Sequence, residues 1–279
     1  MSVTHTRPRP AAETGFPNLL REWRQKRRLS QLDLALSAGV SQRHVSFLES
    51  GRANPSRGMI LQLSETLEVP LRDRNAWLTA AGFAPVFRTR ALDDPQMGQV
   101  LAAVRMMLTA HEPFPAIALD RGWNVRMSNR PFDRLGAMLG EDIWTRTGCG
   151  DERNLMRLFF HPDGIRPFVT NWAAVGPLTW RRALREAEAR GGGEMQALLD
   201  ELAPLQEANT LWSAADTALA PVMPFNMQVG ELRMSMFAVV ATFGTAQDVT
   251  ADELRLETLF PADAETEALL RGAAAPRNP

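Results

Sequence analysis

The sequence predicts two domains, an all-α N-terminal domain of five short helices and a C-terminal α+β domain. Between residues 16 and 83, apolar residues recur at helical spacing and the runs are separated by tight turns. From residue 115 to 128, a short apolar run, a turn and an alternating run predict a β-hairpin. Residues 1–90 hold 14 Arg and Lys against 7 Asp and Glu, whereas the rest holds 17 against 25. We therefore expect only the first domain to meet a polyanion, although chance clustering of solvated arginines is an alternative.

At 279 residues, the chain is long enough for two separate hydrophobic cores. Residues 1–15 are polar and proline-rich, which favours a disordered arm. We place the helical domain at 16–83, a linker at 84–94, the α+β domain at 95–271 and a disordered tail at 272–279.

The composition favours a cytoplasmic protein. The longest apolar runs are much shorter than the roughly 20 residues that span a bilayer. No signal segment opens the sequence. The single cysteine, Cys149, cannot form an internal disulfide, so we expect a reducing compartment.

Residues 29–55 predict two short capped helices joined by a sharp turn. Ser30 and Ser41 are good N-caps, and Gly39 and Gly51 stand where the two helices must end. In the first helix we expect one apolar stripe, formed by Leu32, Ala35 and Leu36.

The second capped helix turns Val45 and Leu48 inward, which leaves four polar side chains outside: Gln42, Arg43, His44 and Ser46. Two capped helices with a glycine turn form the helix-turn-helix pattern, whose second helix enters the DNA major groove. A merely solvated helix face is the alternative for each of the four.

The N-terminal domain resembles the Cro/phage-repressor type of helix-turn-helix, the XRE family, with its lambda-repressor-like fold. The matching words are Leu20-Arg21-x-x-Arg24, Leu29-Ser30-Gln31-x-x-Leu34-Ala35, Ala38-Gly39-Val40-Ser41, Val45-Ser46-x-Leu48-Glu49-x-Gly51-Arg52 and Pro55-Ser56.

The resemblance implies double-stranded operator DNA as the partner of this domain. Gln42 and Arg43 would reach base edges, since Gln pairs with adenine and Arg with guanine. Arg24 and Glu49 would form an internal ion pair. Phosphate or groove-wall contacts would come from Gln31, Ser41, His44, Ser46, Arg52 and Asn54. Phe47 departs from the polar residue frequent at its position, and would touch a thymine methyl group or pack on the scaffold.

In the C-terminal domain, the hairpin at 115–128 follows a long helix at 95–110, whose wide apolar stripe suggests burial on more than one side. Asn129 begins the next helix. We expect further helices at 154–160, 165–189, 194–202, 208–214, 252–260 and 264–271, and further strands at 226–229 and 232–243.

This half resembles the ligand-binding domain of MmyB-like regulators. The matching words are Leu92-Asp93-Asp94-Pro95, His111-Glu112-Pro113, Leu119-Asp120-Arg121-x-Trp123-Asn124, Asn129, Asn154-Leu155-x-Arg157-Leu158, His161-Pro162-Asp163-Gly164, Asn171-Trp172 and Ala241-Thr242-Phe243-Gly244-Thr245. The resemblance implies a PAS-like sensor fold holding a small apolar effector such as a fatty acid.

We expect the pocket to use polar or amphipathic groups in apolar surroundings, namely Trp123, Asn129, His161, Asn171 and Trp172. Arg166 or Arg182 would hold a carboxylate through a bidentate pair. The alternative is structural: a helix cap for Asn129, a turn for His161 and plain core for Trp172.

No motif marks catalysis, a metal or a cofactor. Four histidines and one cysteine lack metal-ligand spacing, and no phosphate-binding glycine loop occurs. We therefore predict no enzyme, but a DNA-binding homodimer that responds to an apolar effector. Two alternatives stay open, in which the C-terminal domain is an enzyme or carrier, or a surface for a protein partner.

Overall fold

The computed structural model describes residues 15–150, 152–189, 193–205 and 221–274. The chain folds into two units, one of residues 1–89 with 247–252 and one of residues 90–246 with 253–279. We call them the N-terminal and the C-terminal unit. The expected arm, except for Gly15, and the helix expected at 208–214 lie outside the described residues.

The N-terminal unit is built on five helices that surround one apolar core. Its largest fully buried side chain is Trp77, which packs edge-on against Phe16. The predicted order is confirmed, with these bounds: α1 (Phe16–Lys26), α2 (Gln31–Ser37), α3 (Gln42–Glu49), α4 (Arg57–Thr66) and α5 (Leu71–Ala80).

The predicted caps of α2 and α3 are present. Ser30 accepts a hydrogen bond from the Asp33 amide at 3.1 Å, and Asp33 accepts one from the Ser30 amide at 2.9 Å, which completes a capping box. Ser41 accepts from the His44 amide at 3.1 Å. Gly39 has a φ of +64°, a conformation that glycine adopts without strain, and the chain turns there between the helices.

The stripe predicted for α2 is wrong in two of its three members. Leu34 and Ala35 are buried, but Leu32 is 47% and Leu36 71% exposed. A seven-residue helix wedged between two neighbours buries one narrow face, and Leu34 rather than Leu32 shares that face with Ala35.

The C-terminal unit contains a five-stranded antiparallel sheet in the order β2-β1-β5-β4-β3. The predicted hairpin and the later strand pair are confirmed. The bounds are β1 (Ala116–Leu119), β2 (Val125–Ser128), β3 (Phe225–Val229), β4 (Leu232–Thr242) and β5 (Arg255–Pro261).

The helix expected at 252–260 is wrong, because this stretch contains the central strand β5. A short helix precedes it and ends at Glu253. In β5, Leu256 is buried on one face while Arg255 and Glu257 are buried on the other. Arg255 and Glu257 do alternate with leucines, but an alternation this short did not distinguish a strand from a helix.

The helices predicted for this unit begin near the expected residues, except that Arg166–Phe168 is a 3₁₀ turn and the long helix starts only at Trp172. The short helix at Ile143–Arg146 was not predicted. The bounds are α6 (Gly98–Ala110), α7 (Arg130–Met138), α8 (Ile143–Arg146), α9 (Leu155–Phe160), α10 (Trp172–Ala189), α11 (Glu194–Leu202) and α13 (Ala264–Ala274). The short helix α12 (Val249–Glu253) belongs to the N-terminal unit except for its last residue. Helix α13 continues past residue 272, where a tail was expected.

Helix α6 is buried on one side only, contrary to the prediction. Val104 and Leu108 are buried, whereas Met106 is 72% and Met107 43% exposed. Among the described residues, no helix combines the length and the apolar character needed to cross a membrane.

Candidate functional site

Helix α3 presents a polar face to solvent in the N-terminal unit. Gln42 and Arg43 are exposed, His44 and Ser46 are partly exposed, and Val45 is fully buried beneath them. Arg52 and Asn54, in the loop after α3, are exposed as well. Ser41 is exposed and its hydroxyl oxygen is occupied by the cap of α3.

Phe47 packs beside a predicted reader rather than into the core. The guanidinium carbon of Arg43 lies 5.0 Å from the centre of the Phe47 ring, and the ring is partly exposed. A cation over an aromatic face is attracted by the ring quadrupole, so Phe47 restrains Arg43 on the outer face of α3.

Glu49 is the polar hub beneath this face. Its two carboxylate oxygens accept from Arg24 Nε at 2.6 Å and Nη2 at 2.9 Å, a bidentate pair. Gln31 Nε2 donates to the same carboxylate at 2.8 Å, so this side chain supports the scaffold besides its expected phosphate contact.

The charge on Glu49 is maintained by its partners. Burial alone would raise the pKa of Glu49, but hydrogen bonds from Arg24 and Gln31, together with the charges of Arg24 and Arg21, outweigh it and lower the pKa. The hydrogen bond to Glu49 in turn raises the pKa of Arg24. The pair therefore ties α1 to α3.

The C-terminal unit contains a partly open cavity of about 220 Å³ between the sheet and helices α7, α9 and α10. Most of its wall is aliphatic or aromatic, and its only charged lining groups among the described residues are Arg182 and Glu257. The apolar wall includes Phe132, Leu135, Leu139, Leu155, Leu158, Phe159, Val175, Leu178, Phe225, Met227 and Leu259. Such a lining suits a ligand that is chiefly hydrocarbon.

Trp123 forms part of the same wall and is held in an unusual backbone conformation. It follows a turn in which Asp120 Oδ1 accepts from the amides of Gly122 at 2.8 Å and Asn124 at 3.0 Å. The Trp123 φ is +64°, a region that bulky residues rarely adopt, and its indole is 2% exposed. The Asp120 turn therefore directs the indole to the polar end of the cavity.

Four charged side chains close a ring at that end. Arg182 Nε donates to Glu186 at 2.9 Å, and Arg255 donates to the other oxygen of Glu186. Arg255 Nε lies 3.5 Å from Glu257, which also accepts from Arg182 Nη2. Trp123 donates to Glu186 at 3.1 Å, and its ring lies 4.8 Å from the Arg182 guanidinium and 4.0 Å from that of Arg255.

Burial and the neighbouring charges shift the pKa values of three of these four groups. Burial opposes the charge of Glu186, but Arg255 and Arg182 outweigh burial and lower the pKa of Glu186. For Arg182 the carboxylates prevail over burial and raise its pKa. Burial lowers the pKa of Arg255 against the pull of the two carboxylates. Because two positive and two negative charges alternate, the ring is neutral as a whole.

Of the seven predicted pocket residues, Trp123 and Arg182 line the cavity and five do not. Asn129 caps α7, the structural alternative given for it above: its side-chain oxygen accepts from the Phe132 amide at 3.1 Å. Its side-chain nitrogen donates to the carbonyls of Leu108 and Phe114. His161 accepts from the Asp163 amide within its own turn.

Asn171 and Trp172 also serve the scaffold. Asn171 bonds the backbone of Pro224 at 2.8 Å and of Asn226 at 3.0 Å, which fixes the start of β3. Trp172 packs on Phe159 and Phe160. Arg166 lies over Trp172 and donates to the Leu205 carbonyl at 3.2 Å, away from the cavity wall.

Sequence reasoning missed Glu186, Arg255 and Glu257. Two of them lie in the strand that was expected to be a helix, and Glu186 lies on an otherwise ordinary amphipathic helix. An alternating charge pair at Arg255 and Glu257 between apolar residues was the one available signal.

A helix-turn-helix unit with a polar outer helix face, followed by a unit that contains a mainly apolar cavity, is typical of a DNA-binding transcription regulator with a ligand-binding domain. Comparison with family models gives the same class. Residues 20–73 match the helix-turn-helix model, and residues 100–273 match the model of the MmyB-like transcription regulator ligand binding domain. The chain belongs to the MmyB-like family.

Other comparisons add little. No curated protein matches the chain. Among solved structures, an RNA-binding light-oxygen-voltage receptor is 13% identical, with a TM-score of 0.27. The alignment covers 95% of this chain and 64% of that one, and so weak a likeness carries no argument.

Proposed function

We propose that the protein is a one-component regulator that binds operator DNA as a homodimer and changes its operator affinity when a small apolar effector enters the C-terminal cavity. The single observation that carries the proposal is the mainly apolar cavity of about 220 Å³ inside the ligand-binding unit. Its charged lining groups, Arg182 and Glu257, are bonded to each other, so most of the cavity wall offers a ligand apolar contacts only.

Native mass spectrometry of the purified protein tests the effector half of the proposal. A co-purified apolar molecule, with the acyl chain of a fatty acid or a related lipid, is the expected result. Solvent extraction followed by titration with such lipids should restore the bound mass. A protein that is empty when isolated and stays empty at saturating lipid would contradict the proposal.

The proposal also predicts the symmetry of the operator that a homodimer would bind through helix α3. Two recognition helices about 34 Å apart would read a palindrome with half-sites one helical turn apart. Genome-wide mapping of bound DNA should reveal such a palindrome, and the neighbouring genes would indicate the effector. Scattered binding without a shared motif would contradict sequence-specific control.

Arg43 is the proposed base-reading residue, and Arg52 is the matched control. Arg43→Ala should cost roughly 1–3 kcal/mol at one operator position and relax the preference there. Arg52→Ala should weaken all sequences alike, because a phosphate contact carries no sequence information. Binding to an operator and to single-base variants of it measures both, and an unchanged preference in Arg43→Ala would show that another residue reads the base.

A further inference from the structure

We infer that Arg43 and Phe47 read the operator as one unit, in which Arg43 binds a guanine and the Phe47 ring contacts the C5-methyl group of a thymine in the adjacent base pair. This inference rests on the proposed operator binding and names the two-base-pair step that each recognition helix selects. It starts from the contact between the two side chains, in which the guanidinium carbon of Arg43 lies 5.0 Å from the centre of the Phe47 ring.

Phe47 lies outside the apolar core of the N-terminal unit. Its neighbours Val45 and Leu48 are buried in that core and Ala53 packs against it, but Phe47 belongs to neither group. The ring is partly exposed, on the same helix as the proposed base-reading side chains. It is therefore accessible to a duplex that binds against α3.

The backbone of Phe47 is fixed by three hydrogen bonds to its carbonyl oxygen. The donors are the Ser50 hydroxyl at 3.2 Å and the amides of Arg52 at 2.9 Å and Ala53 at 3.2 Å. These bonds close the C-terminal end of α3, so the position of the ring is set before DNA binds. A group held in place beforehand loses less conformational freedom on binding.

Arg43 keeps its hydrogen-bond donors for the duplex. Within the described residues its only partner is the Phe47 ring, whereas Arg21 and Arg24 on α1 both donate to Glu49. The attraction between a cation and an aromatic face uses none of the guanidinium N–H groups. Two of them remain available for the O6 and N7 atoms of one guanine.

The spacing of Arg43 and Phe47 matches neighbouring base pairs. Residues four apart share one helix face and are separated by about 6 Å along the helix axis. Because α3 would lie along the groove, obliquely to the duplex axis, only part of this separation counts along that axis, where base pairs stack about 3.4 Å apart. A guanidinium bonded to guanine lies near the plane of that base pair, so the ring reaches the next one. The apolar group that a base pair presents in the major groove is the thymine methyl group.

The test removes one methyl group at a time. The full-length protein selects its operator from a pool of random-sequence duplexes, and each thymine of that operator is then replaced by deoxyuridine, which lacks only the C5-methyl group. Fluorescence anisotropy should show affinity about fourfold lower per half-site at one thymine, the factor for exposing one buried methyl group to water. That thymine should lie beside the guanine at which Arg43→Ala relaxes the preference.

Two variants show whether Phe47 makes this contact. Phe47→Ala should bind the thymine and deoxyuridine duplexes equally, because the ring that contacts the methyl group is absent. Leu36→Ala is the matched control, since it truncates an apolar side chain that is 71% exposed on α2, and its methyl sensitivity should stay at the wild-type value. The ratio of the two affinities is read within each variant, which separates the methyl contact from any general loss of binding.

The outcomes separate this inference from the proposed operator binding. A methyl effect that persists in Phe47→Ala, that lies away from the guanine read by Arg43, or that is absent from the wild type would overturn the inference and leave operator binding standing. A pool that yields no shared sequence would overturn operator binding itself, and the inference with it. If Phe47→Ala does not fold, as circular dichroism would show, the position of the methyl effect in the wild type decides.

Discussion

At the scale of single residues, each unit is stabilised by buried charge that has defined partners. Glu49 is 3% exposed and is bonded to two side chains. Arg255 is 2% exposed and lies between Glu186 and Glu257. Buried ions tolerate this environment only with such partners, so removing one partner leaves a charge that nothing compensates.

Glu49→Gln should destabilise the N-terminal unit by about 3–5 kcal/mol, the usual cost of breaking a buried ion pair from one side. Guanidinium unfolding, followed by far-ultraviolet circular dichroism, measures it. The exposed Glu22→Gln, which removes the surface pair to Lys26, is the control and should cost less than about 1 kcal/mol. Equal effects of the two variants would contradict the role given to Glu49.

The pH dependence of stability follows from the lowered pKa of Glu49. A carboxyl whose folded pKa lies below its unfolded value stabilises the fold fully above the unfolded pKa, and that contribution is lost as pH falls through the folded pKa. Stability of the wild-type N-terminal unit should therefore decrease on acidification below about pH 4.5. The decrease should be shallower in Glu49→Gln, and parallel curves for the two proteins would contradict this assignment.

At the scale of secondary-structure elements, the correct predictions concern features that neighbouring residues in the sequence determine. The serine caps, the glycine turn after α2 and the β1–β2 hairpin all depend on residues within a few positions of each other. Strand β5 was missed because the alternation of Arg255 and Glu257 with leucines is too short to identify a strand. The burial of both charges depends on Arg182 and Glu186, which lie 75 and 69 residues away from their partners. Cavity membership was missed for the same reason, since it depends on which strands and helices meet.

Helix α7 offers a sharp test of the cavity wall through Gly136, a residue of its last turn that lines the cavity. A Cβ added there would lie 4.0 Å from Trp144 Nε1, an ordinary contact. Gly136→Ala should therefore raise the stability of the C-terminal unit by about 0.5–1 kcal/mol, because alanine loses less backbone freedom in a helix. Thermal unfolding measures this gain, and a loss of stability would show that the wall is tighter than its geometry indicates.

Gly136→Leu extends the same position into the cavity and should exclude the effector. The larger side chain occupies volume that the hydrocarbon chain of the ligand needs, so the affinity for octanoate, a short fatty acid, should fall at least tenfold. Ala137→Leu, on an exposed position of the same helix, is the matched control and should bind octanoate like the wild type. Calorimetry on both variants decides, and retained binding in Gly136→Leu would place the ligand elsewhere.

At the scale of the whole molecule, the uneven charge distribution assigns DNA binding to the basic first part of the chain and leaves effector binding to the acidic remainder. The basic first third of the chain suits a polyanion, and the acidic remainder does not compete for DNA. Regulation then requires that effector and operator each bias the same conformational equilibrium. A ligand can shift that equilibrium only by the difference between its affinities for the two states.

Reciprocal coupling is therefore the strictest test of the proposed regulation. If octanoate changes operator affinity by some factor, saturating operator must change octanoate affinity by the same factor, because both measure one coupling free energy. We expect a factor of about 5–150, which corresponds to the usual 1–3 kcal/mol. Fluorescence anisotropy of labelled operator gives one side and calorimetry the other. In Gly136→Leu both factors should fall to one while operator affinity without effector stays at the wild-type value, and a persisting octanoate effect on DNA binding in that variant would show that the effect does not pass through the cavity.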